Sequence, residues 1–167
     1  QTVEEVRAAG GTAHFVYCDV TNESEVSALV STTEELIGGI DSLVTSAGVL
    51  EAAAVPVEQI DPADWTRTLE VNVYGSFYCV KHALPALRRS PSGVVVLLGS
   101  GAGIFSGSSS VPYATSKSPG PLTEVSDGGR AYLFLNIDPE PPKLGAGGKR
   151  NIGSMVDPKA ALRKVIK

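Results

Sequence analysis

Gly93-Val-Val-Val-Leu-Leu-Gly99 is a near-continuous apolar run closed at both ends by glycine. A strand with one wet face alternates apolar and polar residues. This run does not, so both its faces belong in a core. A strand buried on both faces needs helices above and below it, and the flanking sequence supplies helical patterns on either side. The chain is thereby constrained to a layered α/β arrangement.

The remaining elements follow in the same alternation. Residues 2–9 read as a helix end, stopped by Gly10-Gly11. Residues 13–18, Ala-His-Phe-Val-Tyr-Cys, are rich in strand formers. Asn22 then reads as a helix N-cap with Glu25 at the third helical position, a capping box. Val26, Leu29, Val30, Thr33 and Ile37 follow at helical spacing as one buried stripe, and Gly38-Gly39 ends the helix. Residues 40–45 form a second strand and residues 49–60 a connecting loop. Asp61-Pro62 opens a long helix running to about Arg88, with a bend expected near Pro85. Trp65, Leu69, Val73, Phe77 and Val80 are assigned to its inner face, with Asn72 beside them. Strands separated by helices predict a parallel sheet covered on both faces.

Composition sets outer limits. The 167 residues are 43% hydrophobic and 19% charged, enough for one domain with a real core. A net charge of −4 gives no basic footprint for nucleic acid. No apolar run approaches the ~20 residues that span a bilayer. The two cysteines, Cys18 and Cys79, make no disulfide framework and point to an intracellular, cytoplasmic setting, with packing as their ordinary role. His14 and His82 have no partners at metal-ligand spacing, so no metal is expected.

The chemistry concentrates after the apolar strand. Ser100 places a hydroxyl at the strand's carboxyl end, and Tyr113 and Lys117 follow four residues apart. If Tyr113 opens a helix, the two share a face. An ammonium beside a phenol favours the phenolate and lowers its pKa from about 10, which suits acid/base work near neutrality. Taken alone, the pair reads first as two side chains on a wet helix face. Gly99-Ser-Gly101-Ala-Gly103 looks at first like a dinucleotide phosphate loop, but position 104 is Ile and no helix pattern follows. It reads instead as the turn that carries Ser100. Asp19-Val20 and Ser46-Ala47-Gly48 also lie just past strands, where open parallel sheets bind ligands.

Over residues 1 to about 117 the sequence resembles the short-chain dehydrogenase/reductase family. The resemblance rests on Cys18-Asp19-Val20-Thr21, on Leu43-Val-Thr-Ser-Ala-Gly48, on Asn72 in its helix, and on Ser100 with Tyr113-x-x-x-Lys117. It implies a Rossmann-like doubly wound parallel sheet, and an oxidoreductase interconverting a carbonyl and a secondary alcohol with NAD or NADP. It implies that Tyr113 exchanges the proton with the substrate oxygen and, like Lys117, contacts the cofactor. Lys117 would lower the Tyr113 pKa and hold the nicotinamide ribose, Ser100 would hold the substrate oxygen, and Asn72 would position a water that links Lys117 to solvent. Asp19 and Val20 would contact the adenine, and Ser46, Ala47 and Gly48 would line the cofactor's path. The family usually carries Asn-Asn-Ala-Gly where this chain has Thr45-Ser46-Ala47-Gly48. A small-molecule substrate is implied, and a homo-oligomer for the completed fold.

The chain departs from the family at both ends. A Thr-Gly-x-x-x-Gly-Ile-Gly segment and the first two strands are expected before residue 1, so the sheet is expected to be partial, with a gap between the strands at 13–18 and 40–45. Beyond Lys117, Ser118-Pro-Gly-Pro121 stops the helix, and residues 118–167 hold seven glycines and six prolines. Residues 1–117 are read as a partial dinucleotide-binding core and 118–167 as a divergent tail, partly disordered, with a strand near 131–137 and a short helix from Asp157. The chain is expected to be a fragment, weakly active or inactive alone. The alternative is a non-catalytic scaffold or regulatory binder that keeps the sheet.

Overall fold

The computed structural model describes residues 1–104 and 109–118, together with the backbone of one strand at 133–135. The rest of the tail assigned at 118–167, including the helix expected from Asp157, lies outside the described residues. Helix α1 spans Thr2–Ala8, α2 Glu23–Ile37, α3 Pro62–Leu69, α4 Gly75–Arg89 and α5 Val111–Lys117. Strands β1 (Ser42–Thr45), β2 (Val94–Leu98) and β3 (Leu133–Leu135) form one sheet in the order β1-β2-β3. Both pairings are parallel: Leu43 opposes Val95, Thr45 opposes Leu97, and Leu98 opposes Leu135. The apolar run that predicted a buried strand is thus the central strand of the three.

The core lies on the sheet face that carries Leu43, Val95 and Leu97. There α4 presents Val80, Ala83 and Leu87, with Val30 of α2 and Ile40 packed alongside. On the other face of β1, Val44 is 58% exposed, so the expected double cover is not complete among the described residues. No helix of the described residues is long and apolar enough to cross a membrane.

The caps explain where the helices start. Asn22 accepts a hydrogen bond from the Ser24 N–H at the head of α2, and Asp61 accepts from the Ala63 N–H at the head of α3, where Pro62 occupies the first position. The capping box is wider than expected. Glu25 reaches past the Asn22 backbone and accepts from the Asp19 N–H at 2.8 Å, while the Asn22 amide donates to its other oxygen. At the far end Gly38 takes φ +81° and its N–H closes on the Glu34 carbonyl, a conformation that favours glycine. Ile37 is 59% exposed there, so the buried stripe of α2 stops one turn early.

Two expectations are corrected. Residues 13–18 are not a strand: the segment is unpaired, with Phe15 80% and Tyr17 78% exposed. Strand formers make a strand only when a neighbouring strand takes up their backbone groups, and no strand among the described residues pairs with this segment. The long helix is also irregular upstream of Pro85, which sits inside α4. Glu70–Tyr74 forms a π-helical turn between α3 and α4. Each extra residue in such a turn rotates the following helix by about 100°. Phe77, assigned to the inner face, is left 44% exposed, while Val80 is buried as expected, with Ala83 and Leu87 beside it.

Gly75, the first residue of α4, is where the turn at Asp19-Val20 docks. A Cβ there would lie 2.7 Å from Val20 Cγ2 and 3.0 Å from Val20 Cβ. Gly75→Ala is therefore expected to destabilise the protein by about 1–3 kcal/mol through overpacking. In a Val20→Ala background the same change is expected to cost less, and urea unfolding of the four variants measures the difference. Equal losses in both backgrounds would show that the contact does not hold the turn.

Candidate active site

The site forms where β1 and β2 end, and its parts come from four separate segments. Asn72 lies in the π-helical turn, 5% exposed. Its Oδ1 accepts from the Val49 N–H at 2.8 Å, and its Nδ2 donates to the Val49 carbonyl at 3.0 Å and to Ser116 Oγ at 2.8 Å. The two groups of Val49 settle which end of the amide is oxygen. The wide turn lets this one side chain face sideways out of the helix and join the loop after β1 to α5. Both amide hydrogens are used in doing so.

Helix α5 starts two residues before Tyr113. Ser110 caps it by accepting from the Tyr113 N–H, and Pro112 sits in its first turn. Tyr113 and Lys117 share a face as their spacing predicted, with Lys117 Nζ 5.8 Å from the centre of the Tyr113 ring. The helix ends at Lys117; Ser118 is already extended, as the residue before a proline prefers. Lys117 Nζ donates to the Leu98 carbonyl at 3.0 Å, at the end of β2. Burial holds its ammonium below the ordinary lysine range.

Ser100 stands two residues past Leu98. Its Oγ accepts from the Ala102 N–H at 3.1 Å, at the head of a short 3-10 turn, Gly101–Gly103. Ser100 thus stands at the head of that turn. A Cβ on Gly103 would lie 2.1 Å from the Lys117 carbonyl oxygen, so the glycine permits the turn to pack on the end of α5.

The residues expected along the cofactor's path divide into two groups. Gly48 joins the site: a Cβ there would lie 3.4 Å from Asn72 Oδ1 and 3.7 Å from Lys117 Nζ. Its missing side chain leaves the ammonium open on that side. Ser46 and Ala47 precede it on the exposed loop leaving β1. Asp19 and Val20 lie apart, at the head of α4. Asp19 is exposed and accepts from the N–H and hydroxyl of Thr21, which lowers its carboxyl pKa, while Val20 rests on Gly75.

Sequence reasoning missed Ser116, which accepts from Asn72 and donates to the Tyr113 carbonyl, and the carbonyl of Leu98. Only the position of Ser116 beside Lys117 hinted at the first. It also missed Thr45, whose buried Oγ1 has no hydrogen-bond partner among the described residues. Thr45 occupies the position where the resemblance expected an asparagine.

The short chain dehydrogenase family model matches residues 1–120. Over 138 residues the chain is 33% identical to tropinone reductase-like 2 of Erythroxylum coca, covering 81% of this chain and 46% of that protein. Over 112 residues it is 36% identical to cis-4-hydroxycyclohexanecarboxylate dehydrogenase of Sinomonas cyclohexanicum, covering 67% of this chain and 45% of that one. Among solved structures, the NADH-dependent reductase A1-R' responsible for alginate metabolism is 34% identical, with a TM-score of 0.64 over 70% of this chain and 49% of that chain. The same reductase has also been solved complexed with NAD. ElxO with NADP bound is 25% identical, with a TM-score of 0.59 over 62% of this chain and 42% of that chain. The chain belongs to the short chain dehydrogenase family. It spans about half the length of the curated relatives it matches.

The burial of Lys117 makes a pH prediction. Between its depressed folded pKa and its unfolded value near 10.5, the unfolded chain binds more protons, so stability should rise with pH. Lys117→Met removes that slope. Urea unfolding from about pH 8 to about pH 10 is expected to show wild type gaining on the variant as pH rises. Parallel curves would contradict the buried ammonium.

Proposed function

We propose that this site belongs to an oxidoreductase that interconverts a small-molecule carbonyl and a secondary alcohol with NAD or NADP. The observation that carries the reading is the convergence of Asn72, Ser116 and Lys117 on the strand ends, with Tyr113 on the face of Lys117. The relatives named as dehydrogenases, and the solved neighbours with NAD or NADP bound, support the reaction class and the cofactor.

Lys117 fits a cofactor ribose. An ammonium has three donors; among the described residues one is spent on Leu98, which leaves two beside the gap at Gly48. Gly48, Ala47 and Ser46 would line the rest of the cofactor's path, with Asp19 and Val20 at the adenine end. When bound, the nicotinamide supplies or accepts the hydride. The protein supplies proton transfer, orientation and charge. The Tyr113 hydroxyl gives its proton to the forming alkoxide, or takes it in the reverse direction. The nearby Lys117 ammonium favours the phenolate that results. Ser100 holds the same substrate oxygen by a hydrogen bond and stabilises its developing charge. Asn72 fixes Ser116 and the loop after β1, so that Lys117 and Gly48 keep their spacing. A water between Asn72 and Lys117 would complete the path to solvent.

Cofactor affinity of this chain alone is proposed to be weak, and so is its turnover.

The test is Tyr113→Phe in the protein that carries this site, assayed with a panel of ketones and alcohols and both cofactors. Turnover is expected to fall by about 10²–10⁴-fold while calorimetric cofactor affinity stays within about twofold. Retained turnover overturns the assignment of Tyr113. A wild-type protein that binds neither cofactor and converts no substrate would favour a non-catalytic scaffold.

A further inference from the structure

Cys18 and Cys79 take no part in the proposed chemistry, and both are free and half-buried. The segment that carries Cys18 runs along the α3–α4 rod in a direction fixed by its neighbours. Thr21 lines a cavity of about 500 Å³ with Trp65, Leu69, Glu70, Tyr74 and Tyr78. Val20 rests on Gly75. A step back along the segment is thus a step forward along the helix. Two residues of extended chain advance about 6.6 Å, and four residues of helix advance about 6.0 Å. Side chains two apart in an extended chain share a side, and side chains four apart in a helix share a face. Cys18 therefore falls opposite Cys79, as Val20 falls opposite Gly75.

The approach of the two backbones one step along suits a covalent bridge. At Val20 a Cβ added to Gly75 would stand 3.0 Å from the valine Cβ. Disulfides place their two Cβ atoms about 3.5–4.5 Å apart, so the backbones already approach within bridging range one step away. The Cys79 thiol also feels its neighbour. Burial pushes the Cys79 thiol up, and Cys18 adds to the effect.

We propose that Cys18 and Cys79 form a dithiol site that closes to an intramolecular disulfide, with a low-molecular-weight disulfide such as oxidised glutathione as the oxidant. One thiol loses its proton, and its sulfur attacks the glutathione disulfide. That bond breaks and the first glutathione thiolate leaves with the electron pair. The second cysteine thiolate attacks the mixed disulfide, the Cys18–Cys79 bond forms, and the second glutathione leaves. Two cysteines are oxidised and one glutathione disulfide is reduced to two thiols. The bridge ties the turn at Asp19-Val20 to α4 and fixes it on Gly75. Because burial raises both thiols, closure is faster at higher pH.

The test needs no enzymatic activity and is independent of the reading of Tyr113. The full chain is equilibrated with glutathione redox buffers, natively and in urea, and then alkylated and weighed by mass spectrometry. Wild type is expected to lose two hydrogens, resist alkylation and yield a Cys18–Cys79 cross-linked peptide. Its native bridge is expected to be at least about tenfold more favourable than in urea. Cys18→Ser and Cys79→Ser are each expected to stop at a single glutathione adduct. Two glutathione adducts on wild type, or a bridge no more favourable natively than in urea, would overturn the proposal.

Discussion

The site depends on what one primary amide does. Asn72 pairs with both backbone groups of Val49 and also reaches Ser116. It thereby joins the loop after β1 and the helix after β2 to the rod between them. The π-helical turn at Glu70–Tyr74 makes its side chain available, and the same turn sets which face of α4 meets the sheet. Site geometry and core packing thus share one local irregularity, as π turns at functional positions often do.

Glycines supply the close approaches that the junction needs. Gly75 admits the turn at Val20, Gly103 admits the carbonyl end of α5, and Gly48 keeps the space beside Lys117 and Asn72 clear. Inside this arrangement the Lys117 ammonium is held by the Leu98 carbonyl but is partly removed from water. Burying a cation weakens a fold unless something offsets it. Its presence there is better explained by chemistry than by stability, which fits the proposed role of stabilising a phenolate.

Elements with local signals were legible in the sequence. The caps at Asn22 and Asp61, the stop at Gly38 and the apolar strand at 94–98 follow from residue chemistry within a few positions, and all are present. The helical spacing of Tyr113 and Lys117 was legible for the same reason. Residues 13–18 were not, because a strand is decided by its neighbour and not by its own propensity. Phe77 was misplaced because a periodicity argument assumes 3.6 residues per turn throughout. The partners of Asn72 lie 23 and 44 positions away, and nothing in the local sequence announces Val49 or Ser116. Gly75 did carry a signal: a glycine inside a helical pattern marks a close approach.

The Asn72 junction is tested most directly by hydrogen exchange at the Val49 amide, compared between wild type and Asn72→Ala. Removing the acceptor is expected to lower protection at Val49 by about tenfold, the worth of one buried hydrogen bond, while the β2 amides keep theirs. Unchanged protection at Val49 would show that Asn72 does not hold the loop, and the account of the site would fail with it.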